Sequence, residues 1–145
     1  YHISSPDPEG TGAQRAMELA MAAAKIKPAD IDYINMHGTA TEQNDAMEAN
    51  VVNRLFGDDV ACSSTKSLTG HTLAAAGAIE AGVCWLTLRR PDGRLPPHVW
   101  DNAIDKSMPP LNGLGKTTMI HPPRYAMSNS FAFGGNNLSL ILARE

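Results

Sequence analysis

The chain has 145 residues, of which 43% are hydrophobic and 19% are charged, and its formal net charge at pH 7 is −3. This length suits one domain with its own core, and the composition excludes a disordered or fibrous protein. The slightly acidic balance argues against broad nucleic-acid binding, although a local basic patch could still hold an acidic partner.

The first half of the sequence alternates predicted helices and strands. Apolar residues recur every three to four positions over residues 12–25, which predicts an amphipathic helix that Pro28 ends. Alternating apolar side chains predict a strand over residues 31–36. A second helix is predicted from Asp45 to about Phe56.

Two carboxylates open this second helix. Glu48 follows Asp45 by three residues, a spacing typical of an N-cap residue and the carboxylate that returns its hydrogen bond. We therefore assign both side chains to helix capping rather than to catalysis.

The second half of the sequence continues the alternation. The predicted elements are a strand over residues 60–64, a loop over 66–70, an Ala-rich helix over 72–90, a surface excursion over 91–114, and strands over 125–130 and 138–143. Such alternation predicts a layered α/β architecture with a mixed sheet.

Three polar clusters directly follow predicted strands, where α/β folds place their ligand sites. They occupy residues 37–41, 64–71 and 129–137. In the first cluster, Gly38 allows the ring of His37 to project from a tight turn toward a cleft, although the ring could equally bond to its own loop.

The second cluster contains Lys66 and His71. His71 stands where the long predicted helix begins, and the positive end of a helix dipole disfavours imidazolium there. A neutral imidazole could donate a hydrogen bond to an oxyanion, or it could cap the helix. Lys66 would need an anionic partner if buried; Glu80 is the nearest acidic residue on its C-terminal side, but the spacing does not establish that pair.

The third cluster is glycine-rich. It lacks the Lys-Ser/Thr pair of a phosphate-binding loop, and no helix follows it. Its backbone N–H groups could serve an oxyanion hole, or the segment could be a plain hairpin connection.

The two cysteines, Cys62 and Cys84, lie in apolar settings without CxxC spacing or a nearby histidine pair. We expect buried thiols in a reducing compartment, and no metal site. The longest apolar stretch, residues 73–88, is short and contains Glu80, and the first residues of the sequence do not have the charged, apolar and small-residue pattern of a leader. We therefore expect a cytoplasmic protein without membrane insertion. Tyr1 stands where an initiator Met would, so we also expect a piece of a longer chain.

Taken together, four stretches in this order resemble the β-ketoacyl-[acyl-carrier-protein] synthases, the ketosynthases of the thiolase superfamily. They are residues 1–6, 35–41, 63–71 and 129–137. The resemblance implies a thiolase-like half with α-β-α layers and a mixed sheet. It also implies that residues 1–145 are the C-terminal ketosynthase domain and that the N-terminal, nucleophile-bearing half is absent, because neither Cys62 nor Cys84 lies at the family's cysteine motif.

The resemblance also implies a reaction, the decarboxylative Claisen condensation of malonyl-acyl carrier protein with an acyl thioester, in fatty acid or polyketide biosynthesis. The acyl group is held on a cysteine, and loss of CO₂ from the malonyl group gives the attacking enolate. No cofactor is implied beyond the phosphopantetheine arm that the acyl carrier protein carries. The implied partners are that carrier, the N-terminal half and, for the full protein, a second copy in a homodimer.

Site roles follow from the same resemblance. His37 and His71 would hydrogen-bond the malonyl thioester oxygen and so stabilise the enolate. Lys66, paired with Glu80, would maintain the electrostatics around His71. The backbone N–H of Phe133 would serve the oxyanion hole, with its ring as a gate over the cysteine.

Thr39 and Thr41 correspond to residues that touch the phosphopantetheine arm.

Some positions depart from the family's usual pattern: Ala132 stands where Gly is usual, which suggests a stiffer gating loop. Asn136 replaces a common Thr, and Glu42 a frequent Pro. The segment after Thr41 lacks the Gly-Asp-Pro-Ile-Glu of modular polyketide synthases, which favours a discrete, bacterial-type enzyme.

Two other interpretations remain open at this point. The chain could belong to a chain-length-factor-like subunit, although the retention of both His37 and His71 speaks against that. It could also belong to a non-catalytic module that binds acyl groups or carrier protein. In every case we expect no condensation by this polypeptide alone.

Overall fold

The structure, a computed structural model, describes residues 5–145 except for the side chain of Phe133. Its α-helices are α1 (Thr11–Ala24), α2 (Glu42–Phe56), the short α3 (Lys66–Thr69) and α4 (Ala76–Arg89). Its strands are β1 (Tyr33–Asn35), β2 (Ala61–Ser63), β3 (Tyr125–Ala132) and β4 (Asn136–Ala143). Single 3₁₀ turns lie at Pro28–Asp30, Leu73–Ala75 and Phe133–Gly135.

The four strands form one mixed sheet in the order β2-β1-β3-β4. β1 pairs in parallel with both β2 and β3, whereas β3 and β4 form an antiparallel hairpin. The predicted mixed sheet is therefore confirmed. Because β1, β2 and β3 run in the same direction, their carboxyl ends meet at one edge, where the three polar clusters of the sequence also lie.

Helices cover both faces of this sheet. Met17 of α1 and Val51 of α2 pack with Ile34 on one face. Cys84 and Leu88 of α4 pack with Tyr33 and its neighbours on the other. The short strands β1 and β2 are buried along their whole length, as expected for parallel strands between two helical layers. The predicted α-β-α layering is confirmed.

The region around His71 differs from the prediction. Residues 66–70 were expected to be a loop but contain the single turn of α3. The long helix was expected to begin at residue 72, yet α4 begins only at Ala76, because Leu73 adopts a left-handed backbone with φ 50° that a continuous helix excludes. His71 therefore precedes a 3₁₀ turn, and the helix-dipole argument for its neutrality does not apply.

The capping role predicted for Asp45 and Glu48 is wrong. α2 begins at Glu42, three residues earlier than expected, and Thr41 occupies the N-cap position. Glu48 consequently lies in the second turn of the helix, completely buried. Its carboxylate bonds to a different element, as described below.

The irregular segment between α4 and β3 covers the outer edge of the sheet. The N–H of Cys62 donates to Gly113 O at 3.2 Å, and the N–H of Gly115 donates to Cys62 O at 2.9 Å, so part of the exposed edge of β2 is satisfied. A Cβ at Gly113 would lie 2.0 Å from Val60 O, which only glycine avoids. Residues 1–4, which belong to the first of the four stretches behind the resemblance, lie outside the described residues. Within the described part, no helix is both long enough and apolar enough to cross a membrane.

Candidate active site

His37 follows β1 at the carboxyl edge of the sheet and is only 6% exposed. The turn after it depends on Gly38, whose φ is 40° and whose added Cβ would lie 2.5 Å from the Cβ of Ser64. Glycine is thus required both by the backbone conformation and by the close approach of the loop after β2. The turn therefore sets the position from which the His37 side chain projects.

The carboxylate of Glu48, in α2, holds this turn by accepting two of its backbone hydrogen bonds. Its Oε1 accepts the N–H of His37 and its Oε2 accepts the N–H of Gly38, both at 2.8 Å. Oε1 also accepts Asn129 Nδ2 at 3.3 Å, and Ser139 Oγ donates to Asn129 Oδ1 at 2.8 Å. Burial raises the pKa of Glu48 to about 7, against the opposite effect of the two backbone donors.

The rings of His37 and His71 meet edge to face. Their centroids are 5.4 Å apart and their planes lie at 88°. Phe131 of β3 adds an apolar wall, with its ring centroid 5.7 Å from that of His37. The two histidines predicted to share a site are therefore neighbours, although 34 residues separate them in sequence.

Lys66 lies behind His37. Its ammonium donates to the carbonyl oxygen of His37, forms an ion pair with Glu80 and lies 3.4 Å from His37 Nδ1. Lys66 and Glu80 are 8% and 1% exposed. Burial raises the pKa of Glu80, and the neighbouring ammonium opposes that shift. The Lys66–Glu80 pair suggested by the resemblance is present, and the direct contacts of the lysine are with His37.

The hydrogen bonds assign the same tautomer to both imidazoles. Nδ1 of His37 faces the Lys66 ammonium, which can only donate, and Nδ1 of His71 accepts the N–H of Leu73 at 3.2 Å. Burial and then the Lys66 charge lower the pKa of His37 to about 4, so this ring is neutral at pH 7. With Nδ1 used as an acceptor, each ring carries its proton on Nε2.

The other predicted site residues, Thr39, Thr41 and Phe133, make few described contacts with the histidines. Thr39 and Thr41 lie on the turn after His37, and their hydroxyl groups hydrogen-bond each other at 2.9 Å in solvent. Phe133 begins the 3₁₀ turn between β3 and β4. The gating role predicted for its ring lies outside the described residues, and the oxyanion role of its N–H stays a prediction.

Neither cysteine has the properties of a nucleophile. Cys62 in β2 and Cys84 in α4 are both free and buried. Burial raises the pKa of each thiol to about 12, so the reactive thiolate is scarce at neutral pH. Among the described residues, no group of three or more potential ligands is arranged to hold a metal ion.

Two residues of this site were given no role in it by the sequence analysis. Glu48 was read as a cap because its partners, the N–H groups of His37 and Gly38, belong to a turn that precedes the helix. Phe131 was noted only as part of the glycine-rich cluster. A buried glutamate among apolar neighbours in α2 was the one available hint for Glu48, since buried carboxylates require donors.

Comparison with known proteins identifies the family. The Beta-ketoacyl synthase, C-terminal domain family matches residues 1–99. A 3-oxoacyl-[acyl-carrier-protein] synthase 2 of Rhizobium meliloti is 43% identical over 99% of this chain, which covers 34% of that protein. A synthase of the same name from Staphylococcus aureus is 40% identical over 97% of the chain and 35% of its own length. The chain thus spans about a third of these relatives.

Solved structures agree. The ketosynthase ApeO, solved in complex with its chain length factor ApeC from Xenorhabdus doucetiae, superposes with a TM-score of 0.92 at 51% identity, over 100% of this chain and 36% of that chain. A type II polyketide ketosynthase solved in complex with its acyl-carrier protein superposes with a TM-score of 0.83 at 29% identity, over 99% of this chain and 35% of that one. The chain belongs to the β-ketoacyl synthase family, and it matches the family's C-terminal domain.

Proposed function

We propose that this chain supplies the histidine and lysine part of the active site of a β-ketoacyl-acyl carrier protein synthase. The observation that carries the proposal is the pairing of the His37 and His71 rings, with 5.4 Å between their centroids, while Nδ1 of each ring faces a donor and leaves Nε2 to carry the proton. Two N–H donors on neighbouring rings suit an oxygen that gains negative charge during a reaction.

The proposed reaction is the decarboxylative condensation of a malonyl thioester with an acyl thioester. Breaking the bond to the carboxylate releases CO₂ and leaves its electron pair as an enolate, with charge on the thioester oxygen. The two Nε2–H groups hydrogen-bond that oxygen most strongly when the charge has formed, which lowers the barrier rather than merely binding the substrate. Burial, and then the Lys66 ammonium, lower the pKa of His37 and keep it neutral, so that the ring donates this hydrogen bond without carrying a charge of its own.

The nucleophile belongs to the other part of the proposed enzyme. Supporting this, the chain spans about a third of its relatives, and its two cysteines are buried with raised pKa values. Residues 67–75, which include His71, are all exposed, and Leu68 and Leu73 within them are 58% and 78% exposed. Two exposed leucines beside a histidine of the site fit a surface that another domain covers. We propose that the N-terminal half covers it and that this chain alone does not condense.

The proposed substrates arrive on an acyl carrier protein, whose phosphopantetheine arm would pass Thr39 and Thr41, with Phe133 at the oxyanion hole and gate. The structure of a 29% identical ketosynthase with its carrier protein supports the partner. The proposal further includes a homodimer of the full protein and a cytoplasmic location, the latter in keeping with two free, buried thiols.

The test is an assay of the full-length protein with radiolabelled malonyl-carrier protein and an acyl thioester. We expect turnover by the wild type, and a loss of about 10²–10³-fold in His37→Ala, the effect of removing one oxyanion donor. Binding of the carrier, measured separately by calorimetry, should stay unchanged in that variant. Carrier binding without turnover by the wild type would instead indicate a binding module or a chain-length-factor-like subunit.

A further inference from the structure

A third histidine, His98, lies close to the site but has no assigned role. It belongs to the irregular segment after α4, and its Nδ1 accepts the backbone N–H of Ser64 at 3.1 Å. The segment is fixed in place because Leu95 is buried and Pro96 O accepts Ser63 Oγ at 3.1 Å. Trp100 packs against the His98 ring, with 5.6 Å between their centroids.

Ser64 connects this histidine to the two loops that carry the site. Its Oγ donates to Gly38 O at 2.8 Å, in the turn that presents His37. The same oxygen lies 3.4 Å from the N–H of Lys66, at the start of α3. Ser64 is 5% exposed, and its Cβ fills the space that a side chain at position 38 would need. A shift of Ser64 would therefore move both His37 and Lys66.

The bond from His98 completes the edge of β2. Successive backbone N–H groups along β2 point alternately toward β1 and away from the sheet. The outward N–H of Cys62 is satisfied by Gly113 O. The next outward donor is the N–H of Ser64, for which the His98 ring is the acceptor. A backbone donor left unsatisfied in a buried position is costly, so loss of the ring would drive the loop to rearrange.

We propose that His98 is a positioning residue for the reacting imidazole, acting through Ser64 to set the distance between His37 and Lys66. This inference rests on the proposed function of the His37–His71 pair. The essential atom is the Nδ1 acceptor, and Nε2 and the ring's bulk are secondary. The proposal therefore distinguishes substitutions that place an acceptor at the position of Nδ1 from those that do not.

The test compares three variants of the full-length protein. In His98→Asn the amide oxygen is attached at Cγ, as Nδ1 is, and can accept the N–H of Ser64. In His98→Gln the amide lies one bond further out and resembles Nε2, and His98→Phe has no acceptor. We expect kcat for condensation to fall about tenfold in the Gln and Phe variants, equivalent to about 1.4 kcal/mol. His98→Asn should stay within about twofold of the wild type, with KM for malonyl-carrier protein unchanged in all three.

Two controls separate positioning from general damage. His121→Gln changes an exposed histidine of the same irregular segment and should leave kcat unchanged. The double variant His98→Gln/Ser64→Ala should be no slower than the worse of its single variants, because both substitutions interrupt one chain of contacts. Additive losses, or equal losses in His98→Asn and His98→Gln, would overturn the proposal.

The positioning role of His98 can be tested even if the proposed function fails. If the wild type shows no condensation, that function fails, and amide hydrogen exchange still tests His98. Exchange at the Ser64, His37 and Gly38 amides should be faster in His98→Gln than in the wild type and in His98→Asn. Identical protection in all variants would show that His98 does not position the loops.

Discussion

The two histidines of the site are held in different ways. His37 is 6% exposed, its turn is bonded to Glu48 and Ser64, and Lys66 packs behind it. His71 lies in a fully exposed run, residues 67–75, where its ring bonds only to the nearby N–H of Leu73 among the described contacts. The difference shows that this chain builds one imidazole into its own core and presents the other on a surface that, in our proposal, a second domain completes.

The largest expected effect concerns the buried Lys66–Glu80 ion pair, whose lysine contacts His37. Lys66→Met removes the cation from a buried pair and leaves the Glu80 carboxylate without its partner. We expect the free energy of unfolding of the full-length protein to fall by about 3–5 kcal/mol. Urea denaturation provides the measurement. The double variant Lys66→Met/Glu80→Gln should recover part of the loss, because it buries no lone charge; no recovery would contradict the account of the pair.

His71→Ala should reduce the condensation rate about 10²–10³-fold, a loss like that of His37→Ala, since each removes one donor. Its effect on stability should be smaller than that of His37→Ala, because among the described contacts the His71 ring bonds only to the N–H of Leu73. His37→Ala should destabilise the protein as well as inactivate it. Kinetics and urea denaturation of both variants check this contrast, and equal destabilisation would remove the distinction between the two regions.

Substitutions of Glu48 test the hydrogen bonds that its carboxylate accepts from the His37 turn. Glu48→Ala leaves the N–H groups of His37 and Gly38 without acceptors, whereas Glu48→Gln can still satisfy one of them. We expect about 1–3 kcal/mol of lost stability for each unsatisfied donor, so Ala should be clearly worse than Gln. Thermal unfolding monitored by circular dichroism would measure the order, and a Gln variant as unstable as Ala would refute it.

The smallest effect is expected for a leucine in the exposed residues 67–75. Leu73→Ser should destabilise the full-length protein by about 1–2 kcal/mol if the other half covers this leucine, the scale of burying one such side chain. Calorimetric unfolding gives the value. Leu19, half exposed on α1 away from the site, provides the matched control, and Leu19→Ser should change little. Equal effects of the two substitutions would mean that residues 67–75 stay uncovered.

Sequence patterns predicted most of the fold because most elements carry local signals. The helix expected over residues 12–25 is α1, and the two C-terminal strands are β3 and β4. The failures involve bonds between elements that are distant in sequence. Nothing near Glu48 indicates that its acceptors serve the His37 turn, and nothing near His98 indicates Ser64, 34 residues away.

The site itself was predicted by resemblance rather than by spacing. The motifs named His37, Lys66, His71 and Glu80, whereas helical geometry left the Lys66–Glu80 pair open. That pair forms because α3 and the 3₁₀ turn at Leu73–Ala75 fold the chain back, a path set by the positive φ of Leu73. A local pattern does not encode such a reversal.

The most direct test of the central claim is a long-range ¹H–¹⁵N NMR titration of the histidine rings in the full-length protein. We predict that at pH 7 His37 is neutral, with Nδ1 bare and the proton on Nε2. His37 should remain so until about pH 4, because burial and the Lys66 ammonium disfavour its charged form, and it gains its proton only as the pH falls through that value. A charged His37 at pH 7, or a proton on its Nδ1, would contradict the account.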